Sequence, residues 1–337
     1  MKPFIAMMLI ALVGCAKPHV VVYCAHDREF AQEILEEFRR QSGLEVRVRY
    51  DTEANKSVGL HDDLIREAGA PRCDVYWNNE ILATLRLQVK GILQPYRSPA
   101  AEPFPAVFKA TDHTWTAFAA RARVLIVNTD LVKEVDMPKG LADLTDVRWK
   151  GKVAMAKPMF GTTATQAACL FQAWGAEKAR EYYRQLRANQ IAIVPGNKQV
   201  AVDVAAGKYS IGLTDTDDTI AELDAGRPVR MIFPDADAPA ASGLGVLFIP
   251  NTAAMIRGCP NAENARKLID FLLSADVERR LAESKSRQIP LNPQVVVEAI
   301  PHIRTPSTVR ALPVDFAAAM AVWSESQAFL VDEFSLR

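Results

Sequence analysis

Residues 20–50 read VVVYCAHDREFAQEILEEFRRQSGLEVRVRY, and the spacing of apolar residues changes twice within them. Residues 20–24 form a continuous apolar run, the pattern of a buried strand. Phe30, Ile34, Leu35 and Phe38 then recur at helical spacing on one face, and Gly43 stops that helix. Residues 44–50 alternate apolar with charged, as a strand with one buried face does. Working outward, Leu60, Leu64, Ile65 and Ala68 mark a second helix, residues 74–77 a third strand, and Ile81, Leu82 and Leu85 a third helix. Strand, helix, strand, helix, strand predicts an α/β fold around a parallel, doubly wound sheet with right-handed crossovers.

A proline- and alanine-rich loop at 95–105 leads into residues 115–128, where 124–127 read as a strand and the chain is expected to make its first crossing into a second lobe. A second α/β unit follows over 153–231, with helices at 165–174, 177–188 and 199–206 and a strand at 210–213. Residues 243–250 read as the return crossing. Helices follow Asn261 and Asp276, and Phe316, Met320, Trp323 and Leu330 space a C-terminal helix. The expected division is 19–120 with 243–337 as one lobe and 121–242 as the other, hinged at the two crossings. No internal repeat appears.

Ahead of this, Lys2 and the apolar residues 4–13 read as a short signal peptide over 1–15. The apolar stretch is below the roughly 20 residues a spanning helix needs. It closes on Leu12-Val13-Gly14-Cys15, which resembles a lipobox, so Cys15 is expected to carry acyl chains. Each buried methylene contributes about 0.8 kcal/mol to membrane anchoring. The mature chain is therefore expected outside the cytoplasm, on a membrane surface. With 40 basic and 40 acidic residues among 337, no global field recruits nucleic acid. Length favours two lobes over one core, and a monomer is expected. Cys24, Cys73, Cys169 and Cys259 leave disulfides open, although Cys24 and Cys73 fall at opposite ends of their strands and read as buried thiols.

Ligands of open α/β sheets bind beyond the carboxyl ends of the strands. Those ends carry Cys24-Ala25-His26-Asp27, Asp51-Thr52-Glu53-Ala54-Asn55, Asn78-Asn79-Glu80 and Thr214-Asp215-Thr216-Asp217-Asp218. Any one of these is also what a helix N-cap looks like; four together point to a ligand site. Carboxylates gathered in one cleft repel unless a cation compensates. His26, Asp51, Glu53, Glu80, Asp217 and Asp218 are accordingly the candidate cation ligands, for a hard metal ion such as ferric iron or for an ammonium group. The opposite sign gathers around Phe160-Gly161-Thr162-Thr163, where a helix start can cradle an oxyanion. Arg121, Arg123, Lys157 and Asn197 lie near it in sequence or at the crossing. Asp215, Asn79 and Trp77 complete the candidate ligand-binding set, and Trp77 and Trp115 could each stack on an organic cation or fill a core.

These residues also carry a resemblance. Tyr23-Cys24-Ala25, Phe118-Ala119-Ala120-Arg121-Ala122-Arg123-Val124, Gly161-Thr162-Thr163, Gly196-Asn197 and Gly212-Leu213-Thr214-Asp215 resemble the ferric-iron class of periplasmic binding proteins. That cluster includes iron, thiamine, aminophosphonate and sugar-phosphate receptors. The resemblance implies the two-lobed type II binding-protein fold and a receptor, not an enzyme, which closes on its solute and delivers it to an ABC permease with its ATPase. It implies His26 and Glu53 as metal ligands, and Gly161, Thr162, Thr163, Asn197 and Arg121 as the site of an anion bound with Fe3+. One departure bears on the solute: Asp217 and Asp218 stand where iron-binding members present a tyrosine pair. Tyr182-Tyr183 lies mid-helix and reads as core. Iron(III) or another metal with its anion, and a small phosphate- or phosphonate-bearing solute with an amine, are both expected candidates. A surface-anchored hydrolase is a third, remote one, since no Gly-x-Ser-x-Gly, His-Glu-x-x-His or phosphate-loop motif occurs and Ser242-Gly243 has no evident base.

Overall fold

The computed structural model describes residues 17–51, 59–239, 243–297 and 300–335. The expected signal peptide with Cys15, and Glu53 of the candidate site, lie outside the described residues. No helix among those described is long and apolar enough to cross a membrane.

The opening stretch forms the expected β1 (His19–Cys24), α1 (Arg28–Ser42) and β2 (Glu45–Tyr50). Ala31, Ile34, Leu35 and Phe38 are the buried face of α1. Gly43 ends the helix at φ 70° and donates its N–H to the Arg39 carbonyl, a left-handed cap that glycine enters without steric cost. There follow α2 (Gly59–Arg66), β3 (Val75–Asn78), α3 (Ile81–Val89), β4 (Leu93–Gln94) and β5 (Trp115–Asn128). The chain continues through β6 (Val153–Ala156), α4 (Gly161–Trp174), α5 (Ala176–Ala188), β7 (Ala192–Val194), α6 (Asn197–Ala205) and β8 (Ile211–Asp215). It ends with α7 (Thr216–Asp224), β9 (Val229–Ile232), β10 (Phe248–Ile256), α8 (Ala262–Leu272), α9 (Ala275–Glu283), α10 (Phe316–Ala321) and α11 (Trp323–Phe334).

The strands order as β2-β1-β3-β10-β5-β8-β6-β7, with β4 also on β10 and β9 also on β5. Within this order β2-β1-β3 and β8-β6-β7 are parallel groups, and the antiparallel strands β10 and β5 join them. The crossing expected at 115–128 is one continuous, wholly buried strand of 14 residues. Its first part, Trp115 to Ala122, pairs with β10, and from Arg123 onward it pairs with β8 and β9. Only 124–127 announce themselves as strand, because the alanines before them have weak β propensity and take this conformation from their neighbours.

One apolar core surrounds the first group of strands, and two smaller clusters cover the second. Cys24, Cys73 and Cys169 are buried free thiols, and Cys259 is free and half-buried. Tyr182 and Tyr183 belong to the second core, as expected, and burial pushes both phenols above their ordinary range. The C-terminal helix departs from its expected place with the first lobe: α11 docks on α4 and α5. Phe329 contacts Phe171, Leu330 is buried, and Arg180 and Arg187 pair with Glu325 and Glu333. An amphipathic face declares that it will be covered, not by which lobe.

Gly212 of β8 lies under α6, where an added Cβ would collide with Val200 and stand 3.0 Å from Ile126 and Val204 side-chain carbons. Overpacking of this kind costs about 1–3 kcal/mol. Gly212→Ala should therefore lower the urea midpoint of unfolding; an unchanged midpoint would mean that α6 is free to shift.

Candidate functional site

Arg121 and Arg123 are two apart on β5 and so project to the same side of the strand, where it passes from β10 to β8. Three helices start at the carboxyl ends of the neighbouring strands: α4 after β6, α6 after β7 and α7 after β8. Their N-cap positions, Phe160, Gly196 and Asp215, supply no side-chain cap to the first turn. The starts of three helices thus lie at the carboxyl ends of the strands beside the stretch of β5 that carries the two guanidinium groups.

Arg123 is almost fully buried and organises its surroundings. Its Nη1 donates to Asp215 Oδ1 at 2.7 Å, Asn197 Oδ1 at 3.1 Å and Thr162 Oγ1 at 3.2 Å, and its Nε donates to Gln166 Oε1 at 3.0 Å. The Thr162 hydroxyl donates to Asp215 Oδ2 at 2.6 Å, and the Asn197 amide donates to Asp215 Oδ2 and Thr162 Oγ1. Thr163 donates to Asn197 Oδ1 at 3.2 Å. The polar groups expected to hold an anion do hold one, and it is the protein's own Asp215. Thr162 has one proton and Asn197 two, all given to this network, and Asp215 as a carboxylate cannot itself take an anion. With Arg123 they form one hydrogen-bonded network that joins β5, α4, α6 and the end of β8.

Arg121 is different. It is 6 % exposed, its Nε lies 3.6 Å from Asp217 Oδ2, and neither Nε nor Nη2 has a hydrogen-bond partner. Burial works against its charge, but Asp217, Asp215, Asp27 and Asp218 outweigh that and hold its pKa above the ordinary value. Asp217 and Asp218 lie in the first turn of α7, and with Asp215 they bring three carboxylates within 4.8 Å of one another. Asp27, at the end of β1, brings the first lobe into the same field. Gly161 opens α4 at φ 55°, a left-handed conformation that would strain any side chain.

The other expected members divide. His26 is buried at the end of β1, stacked on Trp77 with ring centroids 5.5 Å apart. Trp77 is a core residue, wholly buried against Phe118, and not a cleft wall. Trp115 is also packed away from the cleft, its indole N–H on Gln88. Asn79 is buried at the end of β3. Glu80 is a cap: its two oxygens accept the Leu82 and Ala83 N–H groups at 2.5 and 2.9 Å, and Oε1 also accepts the Thr165 hydroxyl of α4 at 2.6 Å. This carboxylate ties the start of α3 to α4. Asp51 accepts the Leu60 N–H at 3.0 Å, at the start of α2, and its own N–H donates to the Cys24 carbonyl at the end of β1. Sequence reasoning set Arg123 near the oxyanion cradle but did not carry it into the candidate ligand-binding set, although the alternation Arg-Ala-Arg within a strand already placed it beside Arg121.

Two α/β lobes joined through β5 and β10, with charged strand ends of both meeting at the junction, define a two-lobed solute-binding protein. Residues 83–317 match the family model for bacterial extracellular solute-binding proteins, and the chain belongs to that family. It is 23% identical over 302 residues to the major ferric iron-binding protein of Neisseria meningitidis, covering 86% of each chain. It is 24% identical over 261 residues to a putative 2-aminoethylphosphonate-binding periplasmic protein of Salmonella paratyphi A, covering 76% of this chain and 73% of that one. The fold superposes on iron-bound HitA from Pseudomonas aeruginosa with a TM-score of 0.81 at 21% identity, over 94% of this chain and 99% of that one.

Proposed function

We propose that this chain is the receptor of an ABC importer for a small organic solute bearing phosphonate or phosphate at one end and an amine at the other. The observation that carries this reading is Arg121, buried with two nitrogens that make no hydrogen bond, beside Asp217 and Asp218 and two residues along β5 from Arg123, which meets the starts of α4 and α6. An oxyanion satisfies Arg121 and the start of α4. Alone it would also face Asp217, Asp218 and Asp27. A solute that carries an ammonium group as well answers both signs, and its net charge adds little repulsion. The likeness to an aminoethylphosphonate-binding protein supports the same chemistry.

A second reading, a metal ion with its anion, rests on the grouping of Asp215, Asp217 and Asp218 and on the ferric relatives. It is the weaker one, because Asp215 is already held by Arg123, Thr162 and Asn197. Calorimetric titration of metal-free protein separates the two. Saturable micromolar binding of 2-aminoethylphosphonate is expected, and binding of ferric citrate in its place would overturn the organic reading.

Mechanically, residues 19–120 with the strand from 248 onward move as one lobe and 121–242 as the other, α11 travelling with the second. His26, Arg121, Thr162, Thr163 and Asp215 are each more than nine-tenths buried, so solute enters only when the lobes part. The solute stabilises closure to the extent that it touches both. The reading includes a lipid anchor at Cys15, a position outside the cytoplasm, delivery to a permease with its ATPase, and no catalytic step.

A further inference from the structure

A second cavity, of about 510 Å3, lies away from the cleft on the seam between the lobes. Its apolar lining residues come from both sides of that seam. Leu223 and Val229 belong to the core cluster of the second lobe, whereas Met231, Phe233 and Ile303 pack against the core of the first. The remaining charged or titratable lining residues are Arg230, His302 and Arg304, and no carboxylate lines the cavity among the described residues. Arg304 is held in place by its guanidinium over the Phe233 ring, 5.7 Å from the centroid. Arg230 is steadied by an ion pair with Glu134, which takes up part of its charge.

The volume falls in the range of small-molecule sites, which favour seams between domains. An apolar lining with cationic residues in it excludes a sugar, which has no charge for the cations, and a bare inorganic ion, which has nothing for the apolar residues. We propose that this cavity binds a small organic anion, a phosphate or carboxylate head on an apolar body. The head lies between Arg304, His302 and Arg230, and the body lies on Met231, Phe233 and Ile303. The site is separate from the cleft and does not depend on what the cleft binds. It is not remote in the fold, however: α7 carries Asp217 and Asp218 in its first turn and Leu223 in its last.

Calorimetric titration of the full chain with hexyl phosphate tests this. The expected result is a saturable binding event weakened at least tenfold by Arg304→Glu and, separately, by His302→Glu. Inorganic phosphate should not reproduce it. Both residues are exposed, so the variants should melt at the wild-type temperature and bind 2-aminoethylphosphonate as wild type does. The proposal falls if no event responds to either substitution, or if inorganic phosphate binds as tightly as its hexyl ester.

Discussion

Arg123→Met should destabilise the protein by about 3–5 kcal/mol, the usual cost of removing one partner from a buried ion pair. The reason is the company Arg123 keeps. Without it the buried Asp215 carboxylate retains only Thr162 and Asn197 as donors, and Gln166 Oε1 loses the donor it accepts from. Desolvation of the unpaired carboxylate then dominates. Urea unfolding measures this directly. The double variant Arg123→Met, Asp215→Asn should recover part of the loss, because it removes both charges together. If the single variant were as stable as wild type, Arg123 would be an ordinary surface-type ion pair and the network around Asp215 would not depend on it.

Arg121→Ala should have the opposite profile, with little loss of stability and a large loss of binding. Its Nε and Nη2 make no hydrogen bond that folding depends on, so what stability loses is its attraction to Asp217, Asp215, Asp27 and Asp218, a smaller loss than breaking the hydrogen-bonded Arg123–Asp215 pair. Truncating one side of a buried charged contact to a ligand costs about 2–5 kcal/mol, which is roughly thirtyfold or more in affinity. Titration calorimetry beside a melting curve separates the two effects. Unchanged affinity would remove Arg121 from the site, whatever the solute.

The fold was legible where apolar periodicity is unambiguous. Val20, Val22, Ile34, Leu35 and Phe38 took the burial their spacing predicts, and Gly43 ended its helix as expected. The alanine-rich half of β5 was only partly legible, because its conformation comes from pairing with β10. In the proposed site, Arg121, Asp217 and Asp218 were picked out from strand ends and crossings alone, and the structure sets Arg121 Nε 3.6 Å from Asp217. Asp215, Thr162 and Asn197 were named correctly as neighbours but not as partners, since which carboxylate an arginine selects is a matter of tertiary distance. Glu80 misled for a local reason: glutamate is not among the favoured N-cap residues, so its acid looked available until its oxygens were seen on Leu82, Ala83 and Thr165. Trp77 was equally compatible with cleft and core, and packing against His26 and Phe118 decided it.

Native mass spectrometry with elemental analysis, on protein isolated gently and never exposed to added metal, weighs the bound solute most directly. One phosphorus-containing organic molecule per chain, with iron far below one equivalent, is the predicted outcome. Stoichiometric iron without phosphorus would contradict it.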